Sequence, residues 1–152
     1  CRKLLIGFES LNAETLQTVN PSGFKKRRIQ ERNDAVETIQ REGIGVIGSF
    51  VLGLENDTEQ TFEDVYRFVW DSAMYGTNLT VATPFPGTAF FKRMKERRAL
   101  TDDWNLYDGF TLLYRMKYLN ADTFEKKYEE LLRRVNSPER VKRVLSYFRA
   151  LQ

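Results

Sequence analysis

Residues 44–54 read IGVIGSFVLGL, and this stretch decides the fold. It is rich in β-branched residues and apolar on both sides of a pleat, the pattern of a strand buried on both faces in a parallel sheet. Gly45, Gly48 and Gly53 remove side chains where a neighbour or a ligand can approach closely. By two-residue alternation Ser49, Val51 and Gly53 share one face, while Phe50 and Leu52 share the other. The small-residue face suits a ribose or adenine lying against it, and equally a helix packed closely over glycine. The pattern leaves both open.

Upstream, residues 3–8 (KLLIGF) form a second short apolar run, read as another buried strand. Asn12 is placed to cap a short helix over 13–19, and NPSG at 20–23 is turn chemistry. A longer helix is predicted over 24–42, with Ile29, Val36 and Ile39 on one stripe and Gly43 ending it. Downstream, Asp57 is predicted to cap the next helix, with Gln60 at the capping-box position and Phe62, Val65, Tyr66 and Val69 at helical spacing. Residues 77–83 (TNLTVAT) read as a third strand, 84–87 as a proline-rich turn and 88–98 as a short helix. Residues 1–99 therefore alternate strand and helix. That alternation implies an α/β fold with three parallel strands and right-handed crossovers, either a small open sheet or part of a barrel.

Residues 100–152 form a second region. An aromatic, irregular connector (100–110) precedes a short extended piece at 111–116. Two amphipathic helices follow over 121–135 and 138–150, the second with Ser137 as N-cap and Pro138 at its first position. Both are expected to pack onto the sheet.

Composition narrows the function classes. The chain has 152 residues, 41% hydrophobic and 30% charged, which suits one globular domain. Its apolar runs are far shorter than the roughly 20 residues that span a bilayer, and nothing resembles a signal peptide. The net charge of +3 comes from Lys and Arg interleaved with Glu on helices. That pattern reads as solvated helix faces and gives no nucleic-acid track. With no histidine, Ser-His-Asp and Cys-His machinery and imidazole metal sites are excluded. One cysteine excludes an internal disulfide, suits a reducing cytoplasm and cannot ligate an iron–sulfur cluster, which needs three or four thiolates.

In parallel α/β folds ligands bind at the carboxyl ends of the strands. Glu9 stands at the first such end, placed either to accept hydrogen bonds from a ligand or to cap the following helix. At the third, Pro84 and Pro86 lack N–H groups and break the ladder. That leaves carbonyls near Thr83 and Phe85 free for an adenine edge, or marks a rigid turn.

Taken together, GFESLN (7–12), GIGVIGSFVLGLENDTEQTF (43–62) and TPFPGTAFF (83–91) resemble strands four to six of the radical S-adenosylmethionine (SAM) superfamily's partial (β/α)6 TIM-like barrel. DDWNLYDGF (102–110) is similar to the region that follows the barrel. The resemblance is greatest to the group with an N-terminal cobalamin-binding domain, which includes anaerobic magnesium-protoporphyrin monomethyl ester cyclases and carbon methyltransferases. It implies that Glu9 contacts SAM. It also implies that Ser49, Val51 and Gly53 line the nucleoside pocket, and that Thr83, Pro84 and Phe85 meet the adenine. The pattern is not kept throughout. Pro21 stands where many members have a basic residue for the SAM carboxylate, with Lys25 or Lys26 nearby as substitutes. Gly48, Val51, Gly53 and Glu55 follow the strand-five pattern GxIxGxxE out of strict register.

Strands one to three and the CxxxCxxC signature are not in the chain, and Cys1 is expected to pack at the start of its strand. A beginning at Cys without Met further predicts a piece of a longer parent. For that parent the resemblance implies SAM, a four-iron four-sulfur cluster and, in members that use it, cobalamin. The substrate would be a bulky tetrapyrrole- or lipid-like small molecule, with Tyr107, Phe110 and Tyr114 near it. The piece alone is expected to be catalytically inactive and to self-associate through an exposed strand edge. The alternative is a non-catalytic α/β module whose basic helices dock a partner. A phosphate-binding parallel barrel is disfavoured, because Glu55 and Asp57 stand where its anion-cradling loop would be.

Overall fold

The computed structural model describes residues 1–12, 32–97 and 99–151. The predicted helix over 13–19, the first part of the helix over 24–42, and Pro21, Lys25 and Lys26 lie outside them. Three strands, β1 (Lys3–Glu9), β2 (Gly45–Leu52) and β3 (Gly76–Val81), form a parallel sheet in the order β1-β2-β3. Helix α1 (Arg32–Arg41) precedes β2, α2 (Glu59–Asp71) precedes β3, and α3 (Ala89–Glu96) follows it. Helices α4 (Ala121–Val135) and α5 (Pro138–Ala150) close the chain.

The sheet is covered on one face. Phe8, Val46, Phe50, Leu52, Leu79 and Val81 are buried there with Val36 of α1 and Phe62, Val65 and Val69 of α2. Phe8 and Phe50 stack at 5.5 Å, and Phe68 meets Phe8 edge-on at 5.1 Å, so aromatic geometry fixes how α2 sits on the strands. Opposite them lie Leu5, Ser49, Val51, Asn78 and Thr80, all exposed or half-buried, with Leu5 at 65% exposure. This separation follows from the two-residue period of the strands. Gly48 resolves the choice posed by the glycines, because a Cβ there would meet Met74 Sδ at 2.4 Å and Phe50 at 2.9 Å. Its missing side chain serves core packing.

A buried amide ties three elements together. Gln40, fully buried on α1, donates to the carbonyls of Ser72 (2.9 Å) and Ala73 (3.4 Å). It accepts from the N–H groups of Tyr75 (3.1 Å) and Val46 (3.4 Å). Its amide and the chain turning into β3 are thereby mutually satisfied.

Several expectations change. The strands are not buried on both faces, since Leu5 and Asn78 are exposed, and Cys1 is exposed instead of packed at the start of β1. Asp57 does not cap α2. Its Oδ2 accepts from Leu54 N–H at 3.0 Å, which holds the carboxylate in the preceding turn. Thr58 is the N-cap, its N–H donating to Thr61 Oγ1 at 3.1 Å. Residues 111–116 form no strand. The closing helices also pack less on the sheet than expected. α4 lies against α2 through Phe62–Phe124 edge contact at 5.6 Å and an Arg134–Glu63 ion pair. Tyr128 of α4 reaches past α2 to give its hydroxyl to Leu79 O (3.0 Å) on the outer edge of β3. α5 covers the turn before β3, where buried Arg140 donates to Met74 O at 2.6 Å.

Candidate functional site

The carboxyl ends of β2 and β3 open into a cleft of about 1090 Å³. Its floor is Val51, Thr80, Val81, Ala82 and Thr83. One wall is α3 with Phe90, Arg93 and Arg97, and the other is the turn at Leu54, Glu55 and Asn56. The whole segment between α3 and α4, residues 99–120 and called the connector from here on, supplies Gly109, Arg115 and Lys117.

Several local devices hold this shape. Gly53 leaves β2 at φ +77°, a left-handed conformation that glycine adopts without penalty. A Cβ there would also meet Phe124 at 3.1 Å. Tyr114 gives its hydroxyl to Gly53 O, and its ring meets Phe90 edge-on at 5.2 Å, so the connector, β2 and α3 are fastened at one point. Burial, reinforced by the nearby Asp57 and Glu55 charges, raises the Tyr114 phenol above its ordinary range, so it stays a neutral donor. Beneath the turn, burial pushes Asp57 up to about 7 against the N–H groups of Leu54 and Gly53, which favour the carboxylate. Its Oδ1 has no partner among the described residues.

The rim is cationic. Glu55 is clasped by Arg93 at 3.4 Å and Arg97 at 2.5 Å, side chains one helical turn apart on α3. Arg115 and Lys117, two residues apart on the connector, are exposed. Lys117 Nζ lies 4.7 Å from the centre of the Tyr118 ring. Among the lining residues four cations face one carboxylate.

Of the residues singled out in the sequence, Val51, Thr83 and Phe85 line this cleft together. Pro84 is buried and does not line it. Gly53 lies behind it, its carbonyl taken by Tyr114. Ser49 lies further down the open face, its Oγ accepting from Asn78 Nδ2 at 3.3 Å. Glu9 ends β1 at φ +63°, where the register with β2 slips between Gly7 and Glu9. It is on the same edge of the sheet but not among the cleft's lining. The carbonyls flanking the prolines serve the turn: Thr83 O accepts from Phe85 N–H (2.9 Å), and Phe85 O accepts from Thr88 Oγ1 (2.7 Å). Tyr107 gives its hydroxyl to Thr101 O at 3.0 Å, and Phe110 is 58% exposed. The rim cations escaped the sequence reading. Their signal was there in the helical i,i+4 spacing of Arg93 and Arg97 and the i,i+2 spacing of Arg115 and Lys117.

No family model matches the chain. It is 30% identical over 135 residues to a bacteriochlorophyllide d C-12(1)-methyltransferase of Chlorobaculum tepidum, covering 89% of this chain and 29% of that protein. It is 23% identical over 126 residues to the bacteriochlorophyllide d C-8(2)-methyltransferase of the same organism, covering 82% and 26%. To the anaerobic magnesium-protoporphyrin IX monomethyl ester cyclase of Cereibacter sphaeroides it is 27% identical over 111 residues, covering 72% and 18%. The chain thus spans under a third of the length of these relatives. Among the described residues no helix is long and apolar enough to cross a membrane.

Proposed function

We propose that the chain is the C-terminal half barrel of a radical SAM enzyme that methylates or cyclises a tetrapyrrole, with β1, β2 and β3 as strands four to six. The likeness to the methyltransferase across most of the chain carries this reading. The winding supports it. The parallel order β1-β2-β3, with residues of α1 and α2 packed on the same face, is the arrangement of a barrel wall. A doubly wound sheet reverses its order and is covered on both faces.

Of the implied groups, the residues fit the nucleoside of SAM and not the iron–sulfur cluster. Among the described residues no cluster of His, Cys, Asp or Glu suits a metal ion, and Cys1 is exposed. One cysteine does not supply the three or four thiolates that an iron–sulfur cluster needs. The cleft does suit a nucleoside. Phe85 offers an exposed ring for stacking, Val51 gives an apolar floor, and the Thr80 and Thr83 hydroxyls, which donate to Phe50 O and Val81 O, keep lone pairs to accept from a ligand. Bound there, SAM would supply the methyl group or the adenosyl radical. The chain's own part is to orient the nucleoside and to exclude water from β2 and β3.

Nuclear magnetic resonance of the full chain titrated with SAM tests this. Amide shifts confined to residues 49–53 and 80–85, lost in Val51→Glu, are expected. No shifts at saturating SAM would sink the reading.

A further inference from the structure

The lip of the cleft carries chemistry that a nucleoside does not use. We infer that Arg115 and Lys117, with Arg93 and Arg97 behind them, form a receptor for a carboxylate on a flat, largely apolar substrate. The inference rests on the tetrapyrrole reading and deepens it by naming the group that is recognised.

Charge comes first. Glu55 is the sole acidic residue of the lining, and it already holds both α3 arginines. Arg115 and Lys117 therefore face the cleft without a carboxylate partner among the described residues, and the lip keeps an excess of positive charge. A neutral substrate would leave these cations nothing to bind. An anion placed between the connector and α3 would meet two on one side and share two with Glu55 on the other. Arginine is suited to this, because its planar fork takes a carboxylate through two parallel hydrogen bonds.

Shape comes second. Next to the cations the wall turns aromatic: Phe90 lies under the Arg93 guanidinium at 5.5 Å, and Phe85 is 47% exposed at the mouth. A charged lip beside an aromatic wall matches a ligand with an ionised group at the edge of a flat apolar body. At about 1090 Å³, the cleft is slightly larger than usual for one small-molecule ligand, which leaves room at the lip beside a nucleoside on the floor. The pair on the connector also stands next to Tyr114, whose bond to Gly53 fixes it relative to β2.

The test is equilibrium binding of mesoporphyrin IX to the 152-residue chain, followed by porphyrin fluorescence. Its dimethyl ester and 1-pyrenebutyrate, a flat carboxylate of another class, are titrated beside it. The diacid is expected to bind roughly tenfold or more tightly than the ester, with a preference that shrinks as salt rises. Arg115→Gln with Lys117→Gln, both at exposed positions, should remove most of that preference and leave ester binding unchanged. Glu55→Gln releases Arg93 and Arg97 and should strengthen diacid binding, a gain that a merely structural role would not give. Equal binding of diacid and ester overturns the inference and leaves the tetrapyrrole reading standing. A preference that survives Arg115→Gln with Lys117→Gln also overturns it. Binding of pyrenebutyrate alone, lost in the same double variant, upholds the carboxylate receptor and overturns the tetrapyrrole reading. Binding of none of the three overturns both.

Discussion

The hydroxyl of Tyr114 donates to the backbone carbonyl of Gly53, joining residues 61 apart in the chain. That bond sets the connector across the end of β2 and so closes the back of the cleft. Tyr114→Phe keeps the ring against Phe90 but leaves a buried carbonyl unsatisfied, at a cost of about 1–2 kcal/mol. Urea unfolding should show a lower midpoint with an unchanged slope. An unaltered midpoint would mean that the bond contributes nothing net.

Asp57 makes stability depend on pH. Its carboxyl titrates near 7 in the folded chain and near 3.8 when free of burial. Between those values the native state keeps a proton that the unfolded chain has released. The contribution of this group is therefore greatest at the acid end and falls as pH rises to about 7, then levels off. Asp57→Asn should flatten that slope in denaturation curves taken across the range. A slope that persists in the variant would assign it to other groups.

Gln40 makes four hydrogen bonds while fully buried. Gln40→Leu fills similar space and strands the carbonyls of Ser72 and Ala73 and the N–H groups of Tyr75 and, at the start of β2, Val46. A loss of roughly 2–4 kcal/mol is expected from equilibrium unfolding. Amide exchange at Tyr75 and Val46 should speed up more than exchange in α4.

Gly48→Ala puts a methyl group into Met74 and Phe50. Overpacking of this kind costs about 1–3 kcal/mol. Pairing it with Met74→Ala should recover part of the loss in a double-mutant cycle, because the two changes share one space.

The two edges of the sheet differ. On β3 the outward Val81 N–H donates to Gly109 O at 2.7 Å and Leu79 O accepts from Tyr128. β1 pairs only with β2 among the described residues, and Leu5 beside that edge is exposed. An edge with no neighbouring strand among the described residues templates association. Sedimentation of the 152-residue chain should show a concentration-dependent oligomer, reduced by Leu5→Lys. A monomer at high concentration would rule out association through this edge.

The two closing helices were legible in the sequence to the residue, since Ser137, Pro138 and the apolar stripes are local signals. So were the strands as parallel, and the division of β2 into a Phe50–Leu52 face and a Ser49–Val51 face. Both follow from periodicity, which is a property of neighbouring residues alone. Burial on both faces was not, since Leu5 and Asn78 on the other face are exposed. What the open face and the glycines are for was not legible. Gly48 next to a helix and Gly48 next to a ligand give the same letters, and only Met74 folding over it chose between them. The role of Asp57 changed for a similar reason. Its bond to Leu54 N–H holds it in the preceding turn, and the adjoining Thr58 takes the N-cap. The cleft with its four cations depended entirely on tertiary structure. Residues 55, 93, 97, 115 and 117 meet because the β2 turn, α3 and the connector converge, and their charges act on one another only at that convergence. Local pattern determined which segments are strands and helices and how each is faced. The long-range closure through Tyr114 and Gly53 decided where the charged lip stands, because separation in space, which sequence spacing does not record, governs both packing and Coulomb energy.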